Sequence, residues 1–307
     1  MSIKTRAPVG REAIATFGWW RAHRFLILRR LSQMFFLSLF LLGPWFGIWW
    51  IKGNLSGSLS FGILPLTDPF IAAQSLIAGH WPELTGLIGA LIVALAYALI
   101  GGRVYCSWVC PVNPVTDGAH WLHDRLGLKK GWQPKAGTRW WVLAMVVAVS
   151  ALTGTIAWEF VNPVSMLHRG LIFGMGLAWA FVVAVFVFDL FVSRRGWCGH
   201  LCPVGTFYGL LGAKSVLRVS AARRADCDDC MDCFAVCPEM HVITPALRGQ
   251  AGETPIILSH DCTNCGRCID VCAKDVFAFT HRFDATDAPA RDDRSRSQPA
   301  SGASRAA

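Results

Sequence analysis

"LTGLIGALIVALAYALIGGRVYCSWVCPVNP", residues 84–114, decides the fold. Its first seventeen residues carry no charge and are long enough to cross a hydrocarbon core about 30 Å thick. Cys106 and Cys110 follow at once, four positions apart, with Pro111 behind them. The pattern returns ninety-two residues later, where "CGHLCPVG" sets Cys198, Cys202 and Pro203 after another apolar run. A membrane chain with a repeated thiol pair at its water boundary is the first reading.

Hydrophobic residues make up 53% of the 307 and charged residues 16%, with a mean hydropathy of +0.41. So apolar a chain does not suit one ordinary soluble domain. Four stretches reach span length, at 31–51, 84–100, 140–158 and 170–192, and predict an α-helical membrane protein with four transmembrane helices. Trp49, Trp50, Trp140, Trp141 and Trp158 stand at the ends of these runs, where indole rings favour the headgroup level. Between the first two spans, Pro65, Asp68 and Pro69 would leave backbone groups unpaired in lipid, so an interfacial or re-entrant segment is expected there.

Orientation follows from the basic residues of the short connections. Lys4, Arg6, Arg11, Arg21, Arg24, Arg29 and Arg30 precede the first span; Arg103, Arg125, Lys129, Lys130, Lys135 and Arg139 lie in the second connection; Arg194 and Arg195 follow the fourth. The other two connections hold only Lys52 and Arg169 at their edges. Both termini and both CxxxCP motifs are therefore expected in the cytoplasm. The net charge of +9 reads as an inside anchor rather than a nucleic-acid surface. Arg29-Arg30 before an apolar run has the look of a twin-arginine export signal, but the run is of full span length and no small-residue cleavage site follows.

The membrane half reads as two similar halves. Asp68-Pro69 follows the first span and Asn162-Pro163 the third, ninety-four residues apart. Parallel repeats of this kind are related by an axis along the membrane normal, which would bring both cysteine pairs together on the cytoplasmic face.

From Cys227 the composition changes. "CDDCMDCFAVCPE" supplies Cys227, Cys230, Cys233 and Cys237, and "CTNCGRCIDVC" supplies Cys262, Cys265, Cys268 and Cys272. Each is CxxCxxCxxxC, the spacing of bacterial two-cluster ferredoxins, in which the fourth cysteine serves the other cluster. One [4Fe-4S] cluster is thus expected on Cys227, Cys230, Cys233 and Cys272, and a second on Cys262, Cys265, Cys268 and Cys237, in a small α+β ferredoxin-like domain. Zinc sets come as separated pairs, and a cytoplasmic domain disfavours disulfides. Ala273 stands where the pattern has proline, which bears on the turn and not on ligation.

These quartets and the CxxxCP pairs account for all twelve cysteines. Cys106, Cys110, Cys198 and Cys202 point to a shared four-thiolate metal site, to thiols that switch with a disulfide, or to packing where proline ends a helix. The spacing does not choose among them.

"GREA", "GWWR", "GPWFG", "PLTDP", "CSWVCPVNP", "SALTGT", "NPVS", "GWCGHLCPVG", "CMDCFAVCPE" and "CGRCIDVC" occur in this order along nearly the whole chain. Together they resemble the NapH-type membrane ferredoxins of periplasmic nitrate reduction. The resemblance implies a multi-pass protein of the bacterial inner membrane, described as a quinol dehydrogenase subunit. It implies oxidation of menaquinol or ubiquinol, with electrons passed towards a periplasmic nitrate reductase through a periplasmic ferredoxin-like partner. Related membrane ferredoxins of oxidase assembly and nitrous-oxide respiration imply an alternative, an accessory role in maturing or maintaining a metalloenzyme.

Quinol oxidation releases protons as well as electrons, and basic groups near the ring would take them. Asp68, Glu159 and Asp189 are the leading candidates: Asp68 and Glu159 are expected on the outer side with His168, and Asp189 on the inner side with His120, His123 and His200. Each has a plainer role open to it: an Asx turn for Asp68, solvation for Glu159, a snorkelling Arg194 or Arg195 for Asp189. The expected division is an N-terminal cytoplasmic segment at 1–30, a membrane domain at 31–205, a ferredoxin-like domain at 206–283 and a disordered tail at 284–307.

Overall fold

The computed structural model describes residues 9–284 apart from 129, 130, 133, 136, 175 and 250–253. Apart from its first residue, the expected disordered tail lies outside the described residues.

Two short helices, α1 (Arg11–Phe17) and α2 (Trp19–Ala22), lead into α3 (Arg24–Phe46). Among the described residues only α3, at 23 residues, is both long and apolar enough to cross a membrane. It starts earlier and stops earlier than the sequence suggests, because Gly47 takes a left-handed φ of 73° and its N–H returns to the Gly43 carbonyl, a helix-ending turn. The chain then forms an antiparallel sheet of β1 (Ile51–Gly53), β2 (Gly57–Ser60) and β3 (Leu64–Thr67). Nothing in the apolar pattern announces these strands. Their first hairpin is held by Asn54, whose side chain accepts from the N–H groups of Ser56 and Gly57.

A nine-residue helix, α4 (Pro69–Ile77), precedes α5 (Leu84–Ile100). After α6 (Val112–Arg125) comes α7 (Thr138–Thr153), which ends short of the expected span because Gly154 turns left-handed at φ 63°. Gly174, at φ 62°, divides the expected fourth span into α8 (Pro163–Phe173) and α9 (Gly176–Val187), which a π-helical turn prolongs to Val192. Thus α5 coincides with its expected seventeen-residue stretch, while α7 and the α9 segment, also apolar, cover less than the spans expected of them, and all three are shorter than α3. Large apolar side chains nonetheless face outward along them, among them Leu91, Leu95, Leu99, Met145, Leu152, Leu177 and Val183.

The helix α10 (Pro203–Leu211) closes the bundle. Its end crosses the end of α5 backbone against backbone: a Cβ on Gly102 would lie 1.5 Å from the Tyr208 carbonyl oxygen, and one on Gly212 2.0 Å from the Gly102 nitrogen. The ferredoxin part contains β4 (Leu217–Ser220), α11 (Asp232–Val236), α12 (Ile243–Arg248), α13 (Arg267–Val271) and β5 (Ala278–His281), with β4 antiparallel to β5. Val219, Val242, Ile243, Ala246, Ile257, Val276 and Phe277 form its core, and Phe25 of α3 packs on it.

Candidate functional site

The two halves are built alike. In α4, the Asp68 Oδ1 accepts from the Phe70 N–H at 2.8 Å; in α8, the Asn162 Oδ1 accepts from the Val164 N–H at 3.1 Å. Each helix has proline at its first position, where its missing N–H costs nothing. Both CxxxCP motifs lie on π-helical turns, Tyr105–Val109 and Trp197–Leu201, rather than the α-helix their spacing suggests. Each turn closes through an i to i+5 bond of 2.9 Å, from Cys110 N–H to the Tyr105 carbonyl and from Cys202 N–H to the Trp197 carbonyl. Such turns concentrate at functional sites.

Cys106, Cys110, Cys198 and Cys202 line one cavity, together with Asp68, Tyr105, Trp158, Asn162 and Trp197. The sequence puts Asp68 and the thiols on opposite faces of the membrane; the structure puts them in one cavity. The cause is α4, a half-helix that re-enters the bundle. Its far end lies near the C-terminal end of α7, where His80 Nε2 pairs with the Gly154 carbonyl at 2.8 Å. Midway, Gln74 Oε1 accepts from the Ser150 hydroxyl and the Trp158 N–H. The three tyrosines of the chain gather beside the cavity: Tyr105 and Tyr208 stack with centroids 4.9 Å apart, Tyr97 packs edge-on, and Tyr208 donates to Asp68 at 3.3 Å.

Burial, followed by the neighbouring thiols, pushes Cys202 up to about 12, and burial raises Cys106, Cys110 and Cys198 as well. Left alone these groups keep their protons. A bound metal would have to displace them, so binding there releases protons.

In the ferredoxin part, Cys227, Cys230, Cys233 and Cys272 line one cavity, and Cys237, Cys262, Cys265 and Cys268 another. The fourth cysteine of each motif thus faces the other motif's cavity, as the spacing implies. The twelve cysteines line three cavities, four to each. Among the described residues no three His, Cys, Asp or Glu side chains are grouped to hold a single metal ion. Thiols ranged around a hollow suit a cubane, which needs one at each iron, better than zinc, which draws its ligands to about 2.3 Å of one point. Cys265 alone is drawn down: burial would raise it, but Arg267 and Arg29 outweigh that.

The thiol loops and the second ferredoxin loop are bonded to each other. Arg103 Nη1 donates to Glu239 Oε1 at 2.8 Å and to the Asp261 carbonyl at 2.9 Å, while its Nη2 donates to the Cys198 carbonyl at 3.3 Å. The Ser107 hydroxyl donates to the Thr263 carbonyl at 2.7 Å, and Trp108 Nε1 to the Asn264 carbonyl at 3.0 Å. Arg195 Nη1 donates to the Val236 carbonyl at 2.8 Å. Arg139, at the start of α7, donates to Glu239 and Asp261 at 3.0 and 2.5 Å. Sequence reasoning treated Arg103 and Arg139 only as inside anchors, and Arg195 as an anchor or a snorkelling partner of Asp189. A signal was present: Arg103 and Arg195 each stand three residues before the first cysteine of a CxxxCP motif.

The other predicted acids and histidines fall elsewhere. Asp189 is fully buried below the second motif, where its Oδ1 accepts from the Trp197 N–H at 2.9 Å and its Oδ2 has no hydrogen-bond partner among the described residues. Neither arginine snorkels to it, since Arg194 turns to His120 and Asp124, and Arg195 to Val236 and Asp117. Glu159 lies outside the thiol cavity, paired with Arg169 and Asn162. His168 is buried against Phe40, His123 Nδ1 meets the Leu190 carbonyl, and His200 is half-buried with Nδ1 unpartnered.

Comparison with known proteins agrees with this geometry. A family model described as a 4Fe-4S binding domain matches twice, at residues 83–129 and 174–220, and a 4Fe-4S dicluster domain matches residues 226–276. Each CxxxCP motif thus falls inside one copy of the same model. The ferredoxin-type protein NapH of Escherichia coli is 50% identical over 91% of this chain and 96% of its own length, and that of Haemophilus influenzae 49% over 90% and 96%. The methylamine utilization ferredoxin-type protein MauN of Paracoccus denitrificans is 55% identical over 89% of this chain and 95% of its own. No solved structure matches the chain.

Proposed function

Because the chain belongs to the family of ferredoxin-type NapH proteins, we propose that this iron-sulfur electron-transfer protein takes electrons from membrane quinol and passes them towards a periplasmic nitrate reductase. The observation that carries this reading is the sorting of twelve cysteines into three cavities of four. Cys227, Cys230, Cys233 and Cys272 hold one [4Fe-4S] cluster; Cys237, Cys262, Cys265 and Cys268 hold a second. Cys106, Cys110, Cys198 and Cys202 hold a third iron-sulfur centre within the bundle. When bound, such clusters supply one-electron chemistry matched to the two electrons of quinol.

The protein's own residues keep the sites in register. Arg103, Ser107 and Trp108 bind the loop that carries Cys262 and Cys265 directly to the loop that carries Cys106 and Cys110. The half-helices α4 and α8 present their N-terminal ends to the thiol cavity, and partial positive charge there favours an anionic thiolate site. Asp68 and Asp189 lie close enough to that site to take part in proton movement; Glu159, at the surface, is the weaker candidate. Outward-facing apolar side chains on α5, α7 and α9 support four membrane-crossing segments. Both termini and the ferredoxin-like domain, 206–283, then face the cytoplasm of a bacterial inner membrane. A periplasmic ferredoxin-like subunit takes the electrons onward.

The equally similar MauN proteins favour a second reading, an accessory protein that matures or maintains a metalloenzyme without substantial quinol turnover. Mixing the anaerobic protein in nanodiscs with menaquinol, followed by EPR, separates the two. The dehydrogenase reading expects reduced-cluster signals without any partner. A spectrum that stays silent until dithionite is added would sink it and favour the accessory role.

A further inference from the structure

Between α3, α6 and the ferredoxin part, charge is gathered unevenly. Asp117 is the one carboxylate partner of four guanidinium groups: Arg30 and Arg267 donate to it, the latter at 2.6 Å, and Arg29 and Arg195 stand 3.9 and 3.8 Å away. The side chains of Arg29, Arg195 and Arg267 are only 1, 12 and 12% exposed. Each has a buried nitrogen without a hydrogen-bond partner among the described residues: Arg29 Nη1, Arg195 Nε and Arg267 Nε. The nearby Asp270 hydrogen-bonds the backbone N–H groups of Phe25 and Leu26 and is felt by Arg29 and Arg24, so the guanidinium groups still outnumber the carboxylates. Buried positive charge in excess is costly unless something negative answers it.

What answers it lies against the same residues. Arg267 lines the cavity of Cys237, Cys262, Cys265 and Cys268, and Arg195 is bonded to the Val236 carbonyl, next to Cys237. On the other side of that cavity Glu239 and Asp261 are already matched by Arg103 and Arg139, so the excess around Asp117 is not cancelled there. The cavity of Cys227, Cys230, Cys233 and Cys272 differs. It is rimmed by Asp228, Asp229 and Lys274, Cys230 is exposed, and the Asp229–Arg248 pair lies in solvent, where charges are screened.

We propose that the Asp117 arginine cluster is a counter-charge that makes the site of Cys237, Cys262, Cys265 and Cys268 the higher-potential of the two ferredoxin sites. This rests on the assignment of those four cysteines to one [4Fe-4S] cluster. Reduction of such a site adds one electron and breaks no bond, so its potential follows the surrounding charge and exposure. Burial alone would lower the potential. The arginines act the other way and prevail, because buried charges at short range are screened much less than those in solvent. An electron shared between the two ferredoxin sites then settles at the one bonded to the membrane thiol loops.

The test is a stepwise reduction of the full-length protein with dithionite, read by EPR. Cys265→Ser identifies the signal that belongs to the buried site. That signal should appear first in the unsubstituted protein. Arg29→Gln should shift it to lower potential, Arg29→Lys should restore it, and Asp117→Asn should shift it higher, while the other ferredoxin signal stays in place. Should Asp117→Asn fail to accumulate, the two Arg29 variants still decide the matter. Equal shifts of both signals, or none, would overturn the counter-charge role while leaving the cluster sites intact. If Cys265→Ser removes no signal, the site assignment itself fails, and the proposal with it.

Discussion

If the chain oxidises quinol as proposed, replacing both Cys106 and Cys198 by serine should stop electron flow from quinol while both ferredoxin signals persist. Each substitution takes one ligand from a separate CxxxCP turn, so the shared cavity keeps two thiols of its four. Serine is a poor substitute for a soft thiolate ligand. The ferredoxin quartets take no cysteine from this cavity. Rates of cytochrome or dye reduction by menaquinol should therefore fall to background, with the dithionite-reduced ferredoxin spectrum unchanged. Normal turnover in the double variant would mean that the four thiols only pack.

Arg103→Met undocks the ferredoxin part. Arg103 is 4% exposed, and it alone bridges Glu239, the Asp261 carbonyl and the Cys198 carbonyl. Removing one member of a buried ionic network leaves the others uncompensated, a loss of about 3–5 kcal/mol. Arg139 still faces both carboxylates, which places the effect towards the lower end. Lysine should not rescue it, because one ammonium cannot reproduce the planar fork. Limited proteolysis and the thermal loss of ferredoxin absorbance measure the change. Native protease resistance in Arg103→Met would show that the docking rests on apolar contacts alone.

The parts of this protein that follow from local chemistry were legible in its sequence. Cysteine spacing implied which four thiols share each ferredoxin cavity, and the cavities group them so. The repeat was visible in Asp68-Pro69 and Asn162-Pro163, both of which cap half-helices. What escaped depends on the third dimension. Apolar runs do not show that Gly154 and Gly174 cut two of the expected spans short. Nor does any pattern reveal the strands β1 to β3, which hold together by hairpin bonds and by packing on α5 rather than by alternation. The depth of Asp68 was misread because a sequence that allows an interfacial or re-entrant segment does not say how far that segment reaches into the bundle. Arg29, Arg103, Arg139 and Arg195 were counted as membrane anchors, since pairing across separate halves leaves no trace in local composition.

Each of the three sets of four cysteines should hold an iron-sulfur centre, and the iron and acid-labile sulfide content of anaerobically purified protein counts them. With [4Fe-4S] clusters at all three sites, about twelve of each per chain are expected, falling to about eight in the Cys106→Ser, Cys198→Ser variant. About eight in the unsubstituted protein, with no change in the variant, would contradict the account and leave the CxxxCP cavity without a cluster.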